Sequence, residues 1–178
     1  MEKVKIKDKV FRCYIAEDRI STAIESLASK INSDFKEANP LFLVVLNGSF
    51  MFAADLLRKV NIDCDISFIK VSSYNGLASS GQVNELIGLT EEVNGRQVII
   101  IEDIVDTGST LEKLYYLLKF KGAVDIKIAT LLFKPEAYKK TMAVDLVGIE
   151  IPNKFVVGYG LDYDGQGRNL KEIYVLDN

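Results

Sequence analysis

Residues Val98–Thr110 read VIIIEDIVDTGST. The opening run, Val98 to Ile101, is β-branched and apolar, the pattern of a strand covered on both faces of a parallel sheet. It stops abruptly at two adjacent carboxylates, Glu102 and Asp103. Ligands of open α/β sheets lie beyond the carboxyl ends of the strands, so the acids fall where a ligand would sit. A short loop then carries a third carboxylate, Asp106, and Thr107-Gly108-Ser109-Thr110 runs into a helix capped by Ser109 or Thr110. A helix N-terminus offers free N–H groups and the positive end of its dipole. Gly108 lets the backbone approach a ligand closely, and three hydroxyls add donors. Such a cradle suits a phosphate monoester, and the acids beside it suit diol hydroxyls or a hard cation. A phosphorylated sugar answers to both. Taken singly, the hydroxyl residues would only cap a helix and the acids would only be solvated. Three carboxylates crowded beside one buried strand weigh against that plainer reading. A Walker-type loop is excluded, since no Gly-Lys-Ser/Thr follows a glycine-rich run, and no GxGxxG opens a dinucleotide site.

On either side of this segment strands and helices alternate. A β-like start, Lys3 to Tyr14, precedes Ile20, Ile24, Leu27, Ala28, Ile31 and Phe35, whose spacing predicts one amphipathic helix ending near Pro40. Leu41 to Leu46 reads as a buried strand, Asn47-Gly48-Ser49 as a turn, and Phe50 to Val60 as a helix with Ser49 as N-cap. Strands follow at Asp65–Ser72 and Asn84–Leu89, around a Gly/Ser-rich polar loop, Ser73 to Gln82. The helix after Thr110 shows Leu111, Leu114, Tyr115 and Leu118 on one face and stops at Gly122. Val124–Phe133, Leu146–Ile151, Lys154–Tyr159 and Glu172–Leu176 read as further strands, with a polar loop at Asp162–Arg168. The alternation predicts an α/β domain around a mostly parallel twisted sheet flanked by helices.

Composition narrows the function classes. With 178 residues, one domain is the default. The 22 basic and 25 acidic residues leave a net charge of −3, which argues against a dedicated nucleic-acid binder. The absence of His removes Ser-His-Asp and Cys-His catalysis and every His-ligated metal site. Cys13 and Cys64 form no CxxC and fit a reducing compartment. The charged start, MEKVKIKDKV, has no apolar core of a signal peptide, and no apolar run has the length of a membrane helix. A soluble, cytoplasmic protein with no membrane partner is the expectation.

VIIIEDIVDTGST resembles the signature of the type I phosphoribosyltransferases, which bind 5-phosphoribosyl 1-pyrophosphate. Asp106 ahead of Thr-Gly resembles the 6-oxopurine branch of that family. Further likeness spreads over most of the chain. LNGSFMFAADL (Leu46–Leu56) resembles the pyrophosphate loop and the helix after it, and Ser73-Tyr74 the start of the catalytic loop. LLFK (Leu131–Lys134) and PNKFVVGYGLDY (Pro152–Tyr163) resemble the purine-binding hood. The resemblance implies a single domain over 1–178, with a core at about 41–133 and a hood from about 1–15 and 134–178.

It also implies roles. Glu102 and Asp103 would hold the ribose hydroxyls, directly or through Mg²⁺, and a second Mg²⁺ would use Asp162. Thr107, Gly108, Ser109 and Thr110 would hold the 5-phosphate, with Asp106 also in that loop. Asn47, Gly48, Ser73, Tyr74 and Arg168 would bind pyrophosphate, the Asn47-Gly48 backbone through a non-proline cis peptide. A basic residue is commoner in the family where this chain has Asn47. Lys134 would donate to the 6-oxo group, Phe155 would stack on the purine, and Val156 and Asp162 would lie at its edge. Asp106 would be the general base or acid near N7. The implied reaction is Mg²⁺-dependent transfer of the phosphoribosyl group to N9 of hypoxanthine and guanine, in purine salvage, with Ser73–Gln82 closing as a lid. A homodimer or homotetramer and no nucleic-acid partner are implied as well. Two alternatives stay open: an enzyme using xanthine or a pyrimidine, and a nucleic-acid-binding regulator that senses the same sugar pyrophosphate.

Overall fold

The computed structural model describes residues 2–72, 84–89 and 91–177. Its elements in chain order are β1 (Lys3–Ile6), β2 (Lys9–Ile15), α1 (Glu17–Asp34), β3 (Leu41–Leu46), α2 (Phe50–Leu57), β4 (Asp65–Ser72) and β5 (Asn84–Ile87). They continue with β6 (Gln97–Val105), α3 (Ser109–Phe120), β7 (Asp125–Phe133), β8 (Leu146–Glu150), β9 (Val156–Val157) and β10 (Ile173–Leu176). β4, β3, β6, β7 and β8 are parallel neighbours in that order, and β5 adds an antiparallel edge beside β4. The expected α/β class and its mostly parallel sheet are therefore present.

The unbroken apolar strands are explained by helices on both faces. Phe42, Val44, Ile99 and Ile101 pack with Ile20, Ile24, Leu27 and Ile31 of α1 and Phe52 and Leu56 of α2. Leu41, Leu43, Val98 and Ile100 pack with Leu111, Leu114 and Leu118 of α3. α1 has no side-chain cap at Ala16. A missing cap costs about 1 kcal/mol, whereas each buried Ile or Leu contributes roughly 1.5–3 kcal/mol, so packing decides that helix. α3 ends in a Schellman arrangement: the Gly122 N–H donates to Lys119 C=O (3.0 Å) and the Ala123 N–H to Leu118 C=O (3.1 Å).

The chain's two ends build a second, antiparallel sheet, β1-β2-β10-β9. Ile6, Phe11, Val157 and Tyr174 form its small core. This is the expected hood, and its loop from Gly158 to Arg168 reaches the carboxyl end of β3.

Four local expectations need correction. β6 does not stop at Ile101 but stays paired with β7 through Glu102↔Thr130, Ile104↔Leu132 and Val105↔Phe133. The apolar Ile104 and Val105 resume the strand, so the acids lie within it. Ser49 does not cap α2 by its side chain. Its hydroxyl donates backward to the Val45 carbonyl, and α2 ends at Leu57 rather than Val60. Neither Ser109 nor Thr110 caps α3, because Gly108 occupies the N-cap in a left-handed conformation (φ 76°). The Lys154–Tyr159 strand shrinks to Val156–Val157, since positive φ values at Gly158, Tyr159 and Gly160 turn the chain off the sheet. Among the described residues, no helix is long and apolar enough to cross a membrane.

Candidate active site

The chain beyond β6 wraps a cavity of about 120 Å³ lined by Glu102, Ile104 to Leu111, and hence by Asp106 and all of Thr107-Gly108-Ser109-Thr110. The Thr107 and Ser109 hydroxyl oxygens lie 3.4 Å apart. Gly108 is required by sterics as well as by its φ. A Cβ there would stand 2.4 Å from the Tyr138 ring, which packs on this turn from the segment after β7. Among the described residues no basic side chain lines the cavity, so their attraction for an anion comes from free N–H groups, hydroxyls and the α3 dipole.

At the end of β3 the Leu46–Asn47 peptide is cis, in the loop where the resemblance placed one. Gly48 follows and touches two other parts of the site. A Cβ on Gly48 would lie 1.5 Å from Asp103 Oδ2, and a Cβ on Gly160 would lie 2.0 Å from the Gly48 carbonyl oxygen. Arg168 donates to the Gly160 carbonyl (2.7 Å) and pairs with Asp162 (2.7 Å). Asp162 also accepts the Gly165 N–H at 2.7 Å. Asn47, Gly48, Asp103, Asp162 and Arg168, spread over 121 positions of sequence by number, thus form one neighbourhood.

The two adjacent acids differ in environment. Burial pushes the Asp103 carboxyl up to about 6, against donation from the Ile104 N–H at 2.8 Å and the nearby Arg168 charge, while Asp162 raises it further. Burial also pushes Glu102 well above the ordinary carboxylate range, and the charge of Asp103 adds to it. Glu102 Oε2 is enclosed and has no hydrogen-bond partner among the described residues. A buried carboxylate oxygen left this way is costly. A hard cation or a ligand hydroxyl would satisfy it. Among the described residues no three acids converge as a complete metal cage. Mg²⁺ commonly takes one or two carboxylates and draws its other ligands from substrate and water, so the donor set fits that ion.

Lys134, at the end of β7, is 7% exposed, and its ammonium pairs with Asp106 at 2.8 Å. Its N–H donates to Val105 C=O at 3.0 Å, which fixes it beside the cradle. Phe155 is the opposite case, an aromatic 47% exposed at the hood edge. Tyr163 meets its ring edge-on at a centroid distance of 6.0 Å, Phe11 supports it at 6.2 Å, and the Lys9 ammonium lies 5.9 Å from its centroid. Val156 beside it is buried and paired with Val175 in the hood sheet.

The phosphoribosyl transferase domain family matches residues 15–164. The chain belongs to the phosphoribosyltransferase family. It is 41% identical over 172 residues to the hypoxanthine-guanine phosphoribosyltransferase of Bacillus subtilis, covering 96% of each chain. Against the enzyme of that name from Streptococcus pneumoniae R6 it is 39% identical with the same coverage. Among solved structures it is similar to a hypoxanthine-guanine phosphoribosyltransferase from Bacillus anthracis, with a TM-score of 0.88 and 35% identity, covering 96% of this chain and 99% of that one.

Within this phosphoribosyltransferase the cavity gathers Glu102, Asp106 and the Thr107–Thr110 hydroxyls, while Asp103 is turned to the Gly48 loop. Ser73, Tyr74 and the rest of the Ser73–Gln82 loop lie outside the described residues. Sequence reasoning missed three contacts: Gly160 on Gly48, Tyr138 on Gly108, and the Lys134–Asp106 ion pair. The Gly158-Tyr159-Gly160 run was a legible signal for the first, since paired glycines mark close backbone approach. The others join residues whose partners no local pattern specifies.

Proposed function

We propose that this phosphoribosyltransferase acts in purine salvage, moving the 5-phosphoribosyl group of 5-phosphoribosyl 1-pyrophosphate to N9 of hypoxanthine and guanine. The observation that carries the choice of base is Lys134, a buried ammonium held beside Asp106 at the edge of the cradle. An ammonium donates to a 6-oxo group, whereas the 6-amino group of adenine could not accept. The half-exposed Phe155 offers the purine a stacking face.

The chain's own groups divide the work. The Thr107–Thr110 turn receives the 5-phosphate through N–H groups and hydroxyls, and Gly48 and Arg168 face the pyrophosphate. Glu102 and Asp103 orient the ribose diol. Glu102 and Asp103 would hold one Mg²⁺ and Asp162 a second, and the bound metal would supply positive charge that offsets the pyrophosphate leaving group. As the C1–oxygen bond breaks, positive charge develops on the ribose ring and N9 attacks from the opposite face. Asp106 holds or accepts the N7 proton, and Lys134 stabilises charge on the 6-oxo oxygen. Fixed dipoles and charges aimed at developing charge supply most of the rate.

The reading takes 1–178 as one domain in the cytoplasm, with no nucleic-acid partner. It includes a homodimer or homotetramer, which the exposed Ile66 and Phe68 of β4 support as apolar surface for a second copy. The deciding experiment assays hypoxanthine, guanine, xanthine and adenine with phosphoribosyl pyrophosphate, with and without Mg²⁺. Nucleotide should form from hypoxanthine and guanine only when Mg²⁺ is present. No turnover of either would sink the proposal, and xanthine as the best substrate would change its specificity.

A further inference from the structure

Tyr159 stands between Gly158 and Gly160 with a left-handed backbone (φ 49°), a conformation uncommon for a bulky residue. Its ring is buried at 5% exposure, and its hydroxyl crosses to α2, where it donates to Asp55 Oδ2. The ring belongs to the buried apolar cluster that includes Ile20 and Ile24 of α1, and it lines, with Glu17, Ser21, Asp55 and Arg58, a cavity of about 310 Å³, so apolar packing holds the ring while the hydrogen bond ties its hydroxyl to α2. The phenol's pKa is raised by burial and by the Asp55 bond, which keeps it a neutral donor throughout the working pH range.

The residues on either side of this bond belong to the site. α2 begins immediately after Asn47-Gly48-Ser49, so Asp55 is attached to the Gly48 loop through less than two helical turns. Gly160, the next residue after Tyr159, lies against the Gly48 carbonyl, and Arg168 is anchored on the Gly160 carbonyl. We propose that the Tyr159–Asp55 hydrogen bond is a positioning pair that seats the hood loop on the Gly48 loop and so sets the pyrophosphate subsite. The inference rests on the reading of Gly48 and Arg168 as pyrophosphate-facing. Tyr159 and Asp55 touch no substrate; they act through Gly160, Gly48 and Arg168. Lys134 and Phe155, which serve the base, are not links in this chain of connections.

The test measures binding of Mg²⁺ with inorganic pyrophosphate by calorimetry, and KM for both substrates, on Tyr159→Phe, Asp55→Ala, Asp55→Asn and the double variant Tyr159→Phe/Asp55→Ala. Tyr159→Phe and Asp55→Ala should each weaken pyrophosphate binding and raise KM for the sugar pyrophosphate about 5–30-fold, the range of a coupling of about 1–2 kcal/mol. KM for the purine should stay within about twofold. The double variant should be no worse than either single one, and Asp55→Asn, which keeps an acceptor oxygen, should restore binding. Unchanged pyrophosphate affinity in Tyr159→Phe would overturn the inference. Equal losses for purine and pyrophosphate would overturn it too, since they mean general loosening. A wild-type protein that binds no pyrophosphate would refute the functional reading itself, and the inference with it.

Discussion

Gly48 and Asp103 are in direct contact: a Cβ on Gly48 would overlap the Asp103 carboxylate at 1.5 Å from Oδ2 and 2.6 Å from Cγ. Neither atom can yield easily, because the carboxylate is buried and holds the Ile104 N–H at 2.8 Å. Gly48→Ala should therefore displace Asp103 or the loop, and loss of about 10²-fold in kcat/KM for the sugar pyrophosphate is expected, as for ångström-scale misplacement in an active site. Circular dichroism should show the fold retained. Steady-state kinetics decide it; a variant with native kcat/KM would mean that the loop relaxes without cost.

The Lys134–Asp106 pair is unequally buried, 8% against 45% side-chain exposure, so breaking it from either side should not cost the same. Asp106→Asn leaves a buried ammonium without its counter-charge and should destabilise the protein by ~1–3 kcal/mol. Lys134→Met leaves a carboxylate that water can reach and should cost less. Urea melts of the two variants compare them, and equal losses would show that the ammonium is hydrated. In kinetics Asp106→Asn should lower kcat about 10²–10⁴-fold, whereas Lys134→Met should raise the purine KM more than that of the sugar pyrophosphate.

Phe155 offers a separation of binding from stability. Its ring is half exposed and held by edge contacts with Tyr163 and Phe11. Phe155→Ala should change stability by less than about 1 kcal/mol, because little apolar area is lost from the core. Losing a stacking face should raise the purine KM roughly tenfold, by analogy with the ~1–3 kcal/mol measured for base–aromatic stacking. A melt with unchanged Tm and a purine KM like wild type would remove the residue from the site.

The strand–helix order was legible because apolar runs and amphipathic spacing are local signals. Leu41–Leu46 and Val98–Ile101 could be read as buried strands without knowing their neighbours. The ends of elements were less legible. Glu102-Asp103 looked like a terminus, yet β7 continues alongside and keeps the backbone paired through Val105. Ser49 has the right chemistry for a cap, but a carbonyl behind it takes the hydroxyl. Likewise the cradle could be read from its own residues, while the close contacts of Gly48 with Asp103 and Gly160 depend on three segments meeting in space. The Gly158-Tyr159-Gly160 run marks a close backbone approach, but nothing local to it names Gly48 as the partner.

The buried acids make a prediction about pH. Asp103 is raised from an ordinary 3.8 to about 6, chiefly by burial. The folded protein then binds its proton more tightly than the unfolded chain. Between about pH 4 and 6 the folded state carries the extra proton, so stability from this group is complete below pH 4 and falls as pH rises through 6. Glu102 shifts in the same direction for the same reason. Asp8 and Asp177 shift the other way, their carboxyls lowered by hydrogen bonds from Tyr163 and Lys3, so their contributions are lost only below about pH 4, in a separate window. Without Mg²⁺ or substrate, Tm should therefore decline between pH 5 and 7. Asp103→Asn, which has no charge to bury, should flatten that decline and be more stable than wild type at pH 7 by on the order of 2–3 kcal/mol. Binding of Mg²⁺ with pyrophosphate should run the opposite way, strengthening as pH rises through 6, because ligation needs the ionised carboxylate. A Tm that rises from pH 5 to 7 together with an Asp103→Asn variant less stable than wild type would show that Arg168 and the Ile104 N–H outweigh burial at this carboxylate.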